Sequence, residues 1–500
     1  MLPMLSALRC APAARALQLV RFASSRVLGM GGAGGVASAT RAPAAATANR
    51  ERGSPGSCAT PAAAAAARAS TSPAARQGLP RAAAWRSRAP SPSLASPAAV
   101  DFRAMNAEIQ SARSAAALRS LVSARAADFG AMQYSMVCAA CARLGARDPD
   151  AGATCALAAH AWLGSPRGSL ARDTPRGAVT VFYALARTMV HQLVDTQLLR
   201  INVRRLIADV GRESSALSRE FSAQDAANGL SAAAKLGMRD EAIVGPLAAA
   251  CAAQARTFNA QDAADSLFAA AKLGLRDAAV VGPLAAACVA QSRALTVEGA
   301  AICLWAAAAL GVRDEPLLRA LASAFRPAAP SSLLPTHCAQ VLYAHAASCR
   351  WLPGPALFSP ELLAACRARA APTLERKASR SQAEGAASLA RLGHATEHNA
   401  RVLDGLLAVD ALVQLPGGGA RVAVEFDGPS DFLRWFEPAA RGSAEEPNGA
   451  TRLRDRLLRE GGLAVLAVPY FEWRRLGSDA ARDAYLAERL AAVAQALPDA

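Results

Sequence analysis

Lysine is almost missing from this chain. Three lysines stand among 55 basic residues in 500, so nearly all positive charge is guanidinium. Aromatic residues make up only 5%, and six histidines are scattered with no ligand spacing, His160, His191 and His337 among them. A histidine-built metal centre or proton relay is therefore excluded. No nucleotide-binding glycine loop or catalytic triad is present. No apolar run reaches about 18 residues, which excludes a membrane-spanning helix. Eleven cysteines lack a metal pattern: Cys138 and Cys141 form one CxxC with no second pair, so zinc is not expected. Most cysteines sit where alanine would also fit, which marks small buried hydrophobes in a reducing compartment.

Acidic residues are missing from one region in particular. Residues 1–100 hold twelve Arg, no Lys and a single acid, Glu51, amid Ala, Ser, Pro and Gly. Such a segment cannot bury enough apolar surface to offset its chain entropy, so disorder is expected. Arg-rich, Ser-rich and acid-poor is the composition of an organelle transit peptide. Arg9, Arg15 and Arg21 among Leu and Ala suit a basic amphipathic helix. Residues 21–25, RFASS, resemble a mitochondrial presequence cleavage region, with a plastid peptide as the alternative. The segment supplies +11 of the chain's net +16, leaving +5 for the remaining 400 residues. That balance permits nucleic-acid binding without demanding it.

What is abundant is repetition. Residues 221–257 and 258–294 are two copies of one 37-residue unit, identical at 27 positions, and a third, more diverged copy follows. A fixed period in this range signals an α-solenoid. In the second copy Asn259 is a helix cap, and Ala263, Ala264, Leu267, Ala270 and Ala271 recur at helical spacing. Leu273-Gly274 closes the first helix and Asp277 caps the second, in which Pro283 either makes a kink or marks the true start. Leu310-Gly311 and Arg313-Asp314 repeat the skeleton, as do Phe129, Leu144-Gly145 and Arg147-Asp148. Glu384 to Gly393 reads as a further copy. Six or seven units are expected over 102–400, with 150–220 too diverged to divide.

Solenoids that read single-stranded RNA place polar side chains at fixed positions of the first helix. Gln224, Gln261 and Glu298 are equivalent here; so are Asn228, Asp265 and Ile302, and Lys235, Lys272 and Ala309. Two readings stand: a base-reading face with Lys235 and Lys272 on phosphates, or a solvated face that varies freely. The pattern resembles octotricopeptide-repeat and Fas-activated-kinase-like helical arrays, in register and overall plan over about 300 residues. It differs in having a period of 37 and no proline-tryptophan motif.

From about residue 403 the period changes. VDALVQL (409–415) and VAVEF (422–426) form a hairpin across Pro416 to Gly419. A basic helix over 451–460 carries Arg452, Arg454, Arg456 and Arg459. LAVLAVPYF (463–471) is a buried strand, and an amphipathic helix runs to about 496. VAVEFDGPSDF, NGATRLRDRLL, VPYFEW and YLAERL, in that order, resemble a RAP domain over 403–496. The resemblance implies an RNA-metabolism protein of mitochondria or plastids. It also implies a fold akin to very-short-patch-repair and PD-(D/E)xK nucleases. Such nucleases hold Mg²⁺ on carboxylates from adjacent strands. Asp410 and Glu425 are the candidates, with Asp427 where that motif wants Lys and Asp431 where relatives carry His. The structural alternative is that Glu425 and Asp427 order the Gly428-Pro429 turn while Asp410 pairs with an Arg.

The arginine helix reads as a nucleic-acid surface, or as a solvated face paired with Asp455 and Glu460. Trp473 and Tyr470 are candidate base-stacking residues, though Tyr470 also suits a core. The sequence thus points to a mainly α chain: an α-solenoid, then a small α/β domain, behind a disordered N-terminus. The expected function is organellar RNA binding in RNA processing, stability, translation or rRNA maturation. A Mg²⁺-dependent endoribonuclease and a protein-binding scaffold in ribosome assembly are the alternatives. Expected partners are single-stranded organellar RNA and ribosomal or RNA-processing proteins, with no membrane. No cofactor is expected unless Mg²⁺ serves a nuclease. The compartment is the mitochondrial matrix, or alternatively the plastid stroma.

Overall fold

The computed structural model describes residues 100–496, apart from residue 126 and the segments 165–173, 190–196, 326–332, 353–355, 375–377, 416–419 and 437–444. The expected transit segment and the Pro416–Gly419 turn lie outside the described residues.

Among the described residues fourteen helices build the array: α1 (Phe102–Ser111), α2 (Ala115–Ala124), α3 (Ala131–Leu144), α4 (Ala151–Gly164), α5 (Pro175–Met189), α6 (Gln197–Ala216), α7 (Ala223–Leu236), α8 (Glu241–Gln254), α9 (Ala260–Leu273), α10 (Ala278–Ala290), α11 (Val297–Leu310), α12 (Glu315–Ala322), α13 (Pro335–Trp351) and α14 (Pro360–Leu374). Odd helices pack on odd and even on even, so the chain climbs as two parallel layers. Seven helix pairs result among the described residues. The stretch 150–220, which the sequence could not divide, supplies α4, α5 and α6 in the same alternation.

Each unit forms for the reasons its repeat suggests. Asn259 Oδ1 accepts the Asp262 N–H at 2.9 Å, capping α9. Gly274 ends that helix in the left-handed region, φ +69°, and its N–H donates back to Ala270 and Ala271. Asp277 caps α10, and Pro283 lies within that helix, which begins upstream of it. Gln254 and Gln291 at the ends of α8 and α10 each donate 3.0 Å to the carbonyl of the phenylalanine opening their unit, Phe221 and Phe258. Cys251 and Cys288 are buried, with thiols against the Ala226 and Ala263 carbonyls. Cys138 and Cys141 are buried in the array, and burial pushes the Cys141 thiol well above its ordinary value, away from the thiolate that zinc requires.

The second region is built on four strands: β1 (Thr396–Val402), β2 (Leu407–Gln414), β3 (Arg421–Asp427) and β6 (Ala464–Pro469), in that order across the sheet. The first three run antiparallel; β3 and β6 are parallel, joined by a crossover containing α16 (Gly449–Glu460). A two-residue pair, β4 (Phe432–Leu433) with β5 (Glu446–Pro447), lies within that crossover. After β6 come α17 (Tyr470–Trp473) and α18 (Asp479–Ala496).

Two elements differ from expectation. β1 begins at Thr396, before the boundary at 403; its TEHNARV sequence is mostly exposed, as on a sheet edge, and lacks an apolar alternation. Helix α15 (Arg380–Arg391), read as a further repeat, packs against the sheet and α18 instead. Its Leu389 joins Phe426, Trp473, Leu486 and Leu490 in the core of the α/β region. Gly385 permits the approach, because a Cβ there would lie 1.9 Å from the Phe426 ring. We expect Gly385→Ala to cost about 1–3 kcal/mol by overpacking. A thermal melt should fall by several degrees; an unchanged melt would show that α15 yields freely.

Candidate nucleic-acid interface

Helices α7, α9 and α11 carry the positions expected to read a ligand. Within α7 and α9 the positions recur at spacings of four and seven, which aligns them along one helix face. Gln224, Lys235 and Gln261 are exposed; Asn228, Asp265, Glu298 and Ile302 are half-buried; Ala309 is buried. The side chains are partly engaged with the protein itself. Gln261 donates to Asp265 at 2.9 Å. The Lys235 ammonium sits 5.2 Å from the Tyr183 ring centroid. Phe268 and Trp305, one unit apart, lie with ring centroids 5.1 Å from each other. Lys272 is half-buried, and burial lowers its pKa against the pull of Asp431 from the α/β region.

That influence from Asp431 reflects how the α/β region docks. It grips the turns that end three successive odd helices. At the first, the Arg434 N–H donates to the Gly237 carbonyl at 2.6 Å and the Arg239 N–H donates to the Arg434 carbonyl at 2.8 Å. Arg239 pairs with Glu446 at 2.7 Å, and the Phe436 N–H donates to buried Asp240 at 2.9 Å. At the second, α16 lies so close that a Cβ on Gly449 would be 1.7 Å from the Ala271 carbonyl oxygen, while Arg452 reaches Gly274. At the third, Arg456 donates to the Ala308 carbonyl. The same guanidinium lies 5.2 Å from the Trp351 ring centroid, and Arg313 lies 5.3 Å from it. The carboxyl end of a helix carries partial negative charge and unsatisfied carbonyls, so arginines favour it.

This arrangement corrects the reading of the arginine helix as an open nucleic-acid surface. Arg452 pairs with Glu446 at 2.8 Å beside the second turn, and Arg456 binds the third. Arg454 turns inward, 2.9 Å from Asp427, 2.7 Å from Asp455 and 3.3 Å from Glu425. Of the four, Arg459 is the one whose side chain is mainly exposed, at 59%. Trp473 is likewise corrected: it is 1% exposed, and its Nε1–H donates to Glu384 at 3.1 Å within the core. Tyr470 donates its hydroxyl to Glu445 at 2.9 Å.

The three carboxylates proposed for Mg²⁺ are placed near one another, but around an arginine. Asp410 lies on β2 just before the Ala411–Val424 pair; it accepts the Phe426 N–H at 2.8 Å and a hydrogen bond from Gln382. Thus backbone and glutamine, rather than an Arg, hold Asp410. Glu425 and Asp427 are buried and share the Arg454 guanidinium. Among the described residues no three acidic, His or Cys side chains are grouped to hold a metal ion. The guanidinium already supplies the positive charge at this point, so the donor set does not fit Mg²⁺. Burial raises the Glu425 carboxyl well above the carboxylate range, and Arg454 offsets this only in part. Burial likewise pushes Asp427 up to about 6. Asp431 orders the turn, accepting the Gly428 N–H at 2.8 Å.

Residues 424–489 match the family model of the RAP domain. The match opens within β3 and closes within α18, so β1, β2 and α15 precede it. The chain thus carries a RAP domain at 424–489 behind an array of helical repeats. RAP domains are in general RNA-binding domains, which sets the chain among proteins of RNA-related function. No curated protein matches it. Among the described residues no helix is long and apolar enough to cross a membrane.

The docking residues Arg434 and Glu446 carried no signal of their own in the sequence, and nothing marked Gly449, within NGATRLRDRLL, as a contact. The nearest clue was the constancy of the Leu-Gly and Arg-Asp steps in each unit, to which they bind. Two outcomes follow. Gly449→Ala should lift α16 from α9: amide exchange in α16 should accelerate and the melt fall, while helical circular dichroism persists. Unchanged exchange would remove Gly449 from the dock. Asp427 titrates higher folded than unfolded, so its contribution favours the fold at low pH and is lost as pH rises from about 4 through about 6. Over that window the melting temperature should fall more steeply in the native chain than in Asp427→Asn; parallel profiles would refute the assignment.

Proposed function

We propose that this chain is an organellar RNA-binding protein in which the helical array and its docked RAP domain act as one body on single-stranded RNA. The observation that carries the reading is the RAP match, set on an array of seven helix pairs. The task is processing, stability or translation of organelle transcripts, or rRNA maturation. The compartment is the mitochondrial matrix, with the plastid stroma as alternative; the acid-poor, arginine-rich composition of residues 1–100 supports it. Gln224, Asn228, Lys235, Gln261, Asp265 and Glu298 remain the residues proposed to face the ligand, with Arg459 at the edge of α16. Lys272 serves the dock first.

No hydrolytic step is assigned to these carboxylates: Glu425 and Asp427 share Arg454, and Asp410 is held by the Phe426 N–H and Gln382. The scaffold reading draws its support from that same use of arginines, since Arg452, Arg454 and Arg456 are occupied by protein groups.

Crosslinking of the tagged protein in its native organelle, followed by sequencing of bound RNA, separates the two. We expect enrichment of a discrete organellar RNA segment. RNA at background with co-purifying ribosomal proteins would replace this reading with the scaffold.

A further inference from the structure

The array and the RAP domain leave a cleft between them away from the dock. It has a volume of about 680 Å³ and lies between the last helix pair and the first strands of the sheet. Helices α13 and α14 contribute Arg350 and Arg367 to its lining; β1 contributes Arg401, and the start of β3 Arg421. Against these four guanidiniums the lining holds one carboxylate, Asp404 in the β1–β2 turn. We propose that this cleft is a phosphate-binding site that holds the backbone of a single-stranded RNA where the helical array ends. The assignment rests on the RNA-binding reading above.

The charge count is the first argument. Beyond residue 100 the chain averages one net positive charge per 80 residues, from +5 over 400. Three net charges in one cleft stand far above that average. Nearby, arginines are matched to acids: Arg239 and Arg452 to Glu446, Arg391 to Asp483, Arg482 to Glu384, and Arg454 to three carboxylates. Arg367 and Arg421 have no ion pair among the described residues, and both are exposed at the mouth of the cleft. Four like charges with one carboxylate among them still repel on balance, and an RNA phosphate relieves that repulsion.

Shape is the second argument. The volume lies in the range of small-molecule clefts and admits a nucleotide with its phosphates. Arg350 is fixed by a 2.7 Å hydrogen bond to the Ala346 carbonyl, so one guanidinium is preorganised. His345 lies beside it, and burial together with the Arg367 charge holds its pKa below the ordinary value. A neutral imidazole is left to hydrogen-bond a ribose or a base edge. Guanidinium is the group that meets phosphate through paired N–H donors, which suits a chain that has almost no lysine.

The test uses the full chain and a labelled pool of random single-stranded RNA, with affinity followed across a salt series. In Arg367→Glu/Arg421→Glu we expect affinity to fall at least tenfold. The slope of log affinity against log salt should flatten by about 1.4, for two phosphate contacts on a single strand. Arg367→Lys/Arg421→Lys should retain most of the binding, which shows that the fold survives substitution. Equal affinity and slope in the native and Glu variants overturn the cleft and leave the RNA-binding reading intact. RNA displaced from the native chain by millimolar inorganic phosphate identifies a small-anion site and overturns the backbone assignment. If the native chain itself fails to bind RNA, the underlying reading falls and this one with it.

Discussion

Every odd helix of the central units must stop at the same place, and it stops because a glycine turns left-handed there. Gly237, Gly274 and Gly311 have φ of +64°, +69° and +75°. A side chain at such a position costs roughly 1–2 kcal/mol. The turn exposes the last carbonyls of each helix, and the 37-residue period brings three of these ends into a row. The RAP domain is built on that row. Its backbone bonds to the first turn, its Gly449 abuts the second, and Arg456 bonds to the third. Each favourable cation at a partly buried helix end is worth up to about 2 kcal/mol. Array and RAP domain are thus joined by backbone geometry as much as by side-chain chemistry.

The second constraint sits about half a helical turn away. Arg454 projects from the same helix as Arg452 and Arg456 but points into the sheet, with Glu425, Asp427 and Asp455 about it. Loss of one partner from a buried ion cluster typically costs about 3–5 kcal/mol, because charge is left unmet. Helix α16 is therefore pinned on both faces. That explains why its arginines read so easily as a nucleic-acid surface: four basic residues within eight positions look alike in one dimension, yet they face different partners in three.

Legibility followed the range of the interactions. Caps, the left-handed glycine and the layered helix pairs arise from residues close in sequence, and Asn259, Gly274 and Asp277 stood where the repeat put them. Strands β2 and β3 were readable because their apolar runs are largely buried, and β6 because its half-buried run is apolar throughout. The edge strand β1 was not, since most of its residues face water. Helix α15 carried a repeat-like Gly-Ala-Ala step and a Leu-Gly end, yet its partners are Phe426 and the last helix. The Arg239–Glu446 pair joins residues 207 apart, and nothing local to either announces the other. Trp473 was misjudged for a similar reason: its core partner Glu384 lies 89 residues upstream.

The footing on three turns also governs how an array of this kind changes length over evolution. A helix pair gained or lost ahead of α7 leaves the grip of Arg434, Gly449 and Arg456 intact. A pair inserted between α7 and α11 would carry one foothold a full step up the solenoid, out of reach of the rest. The amino-terminal side is thus free to expand and drift, and there the units between 150 and 220 share least of the repeat pattern.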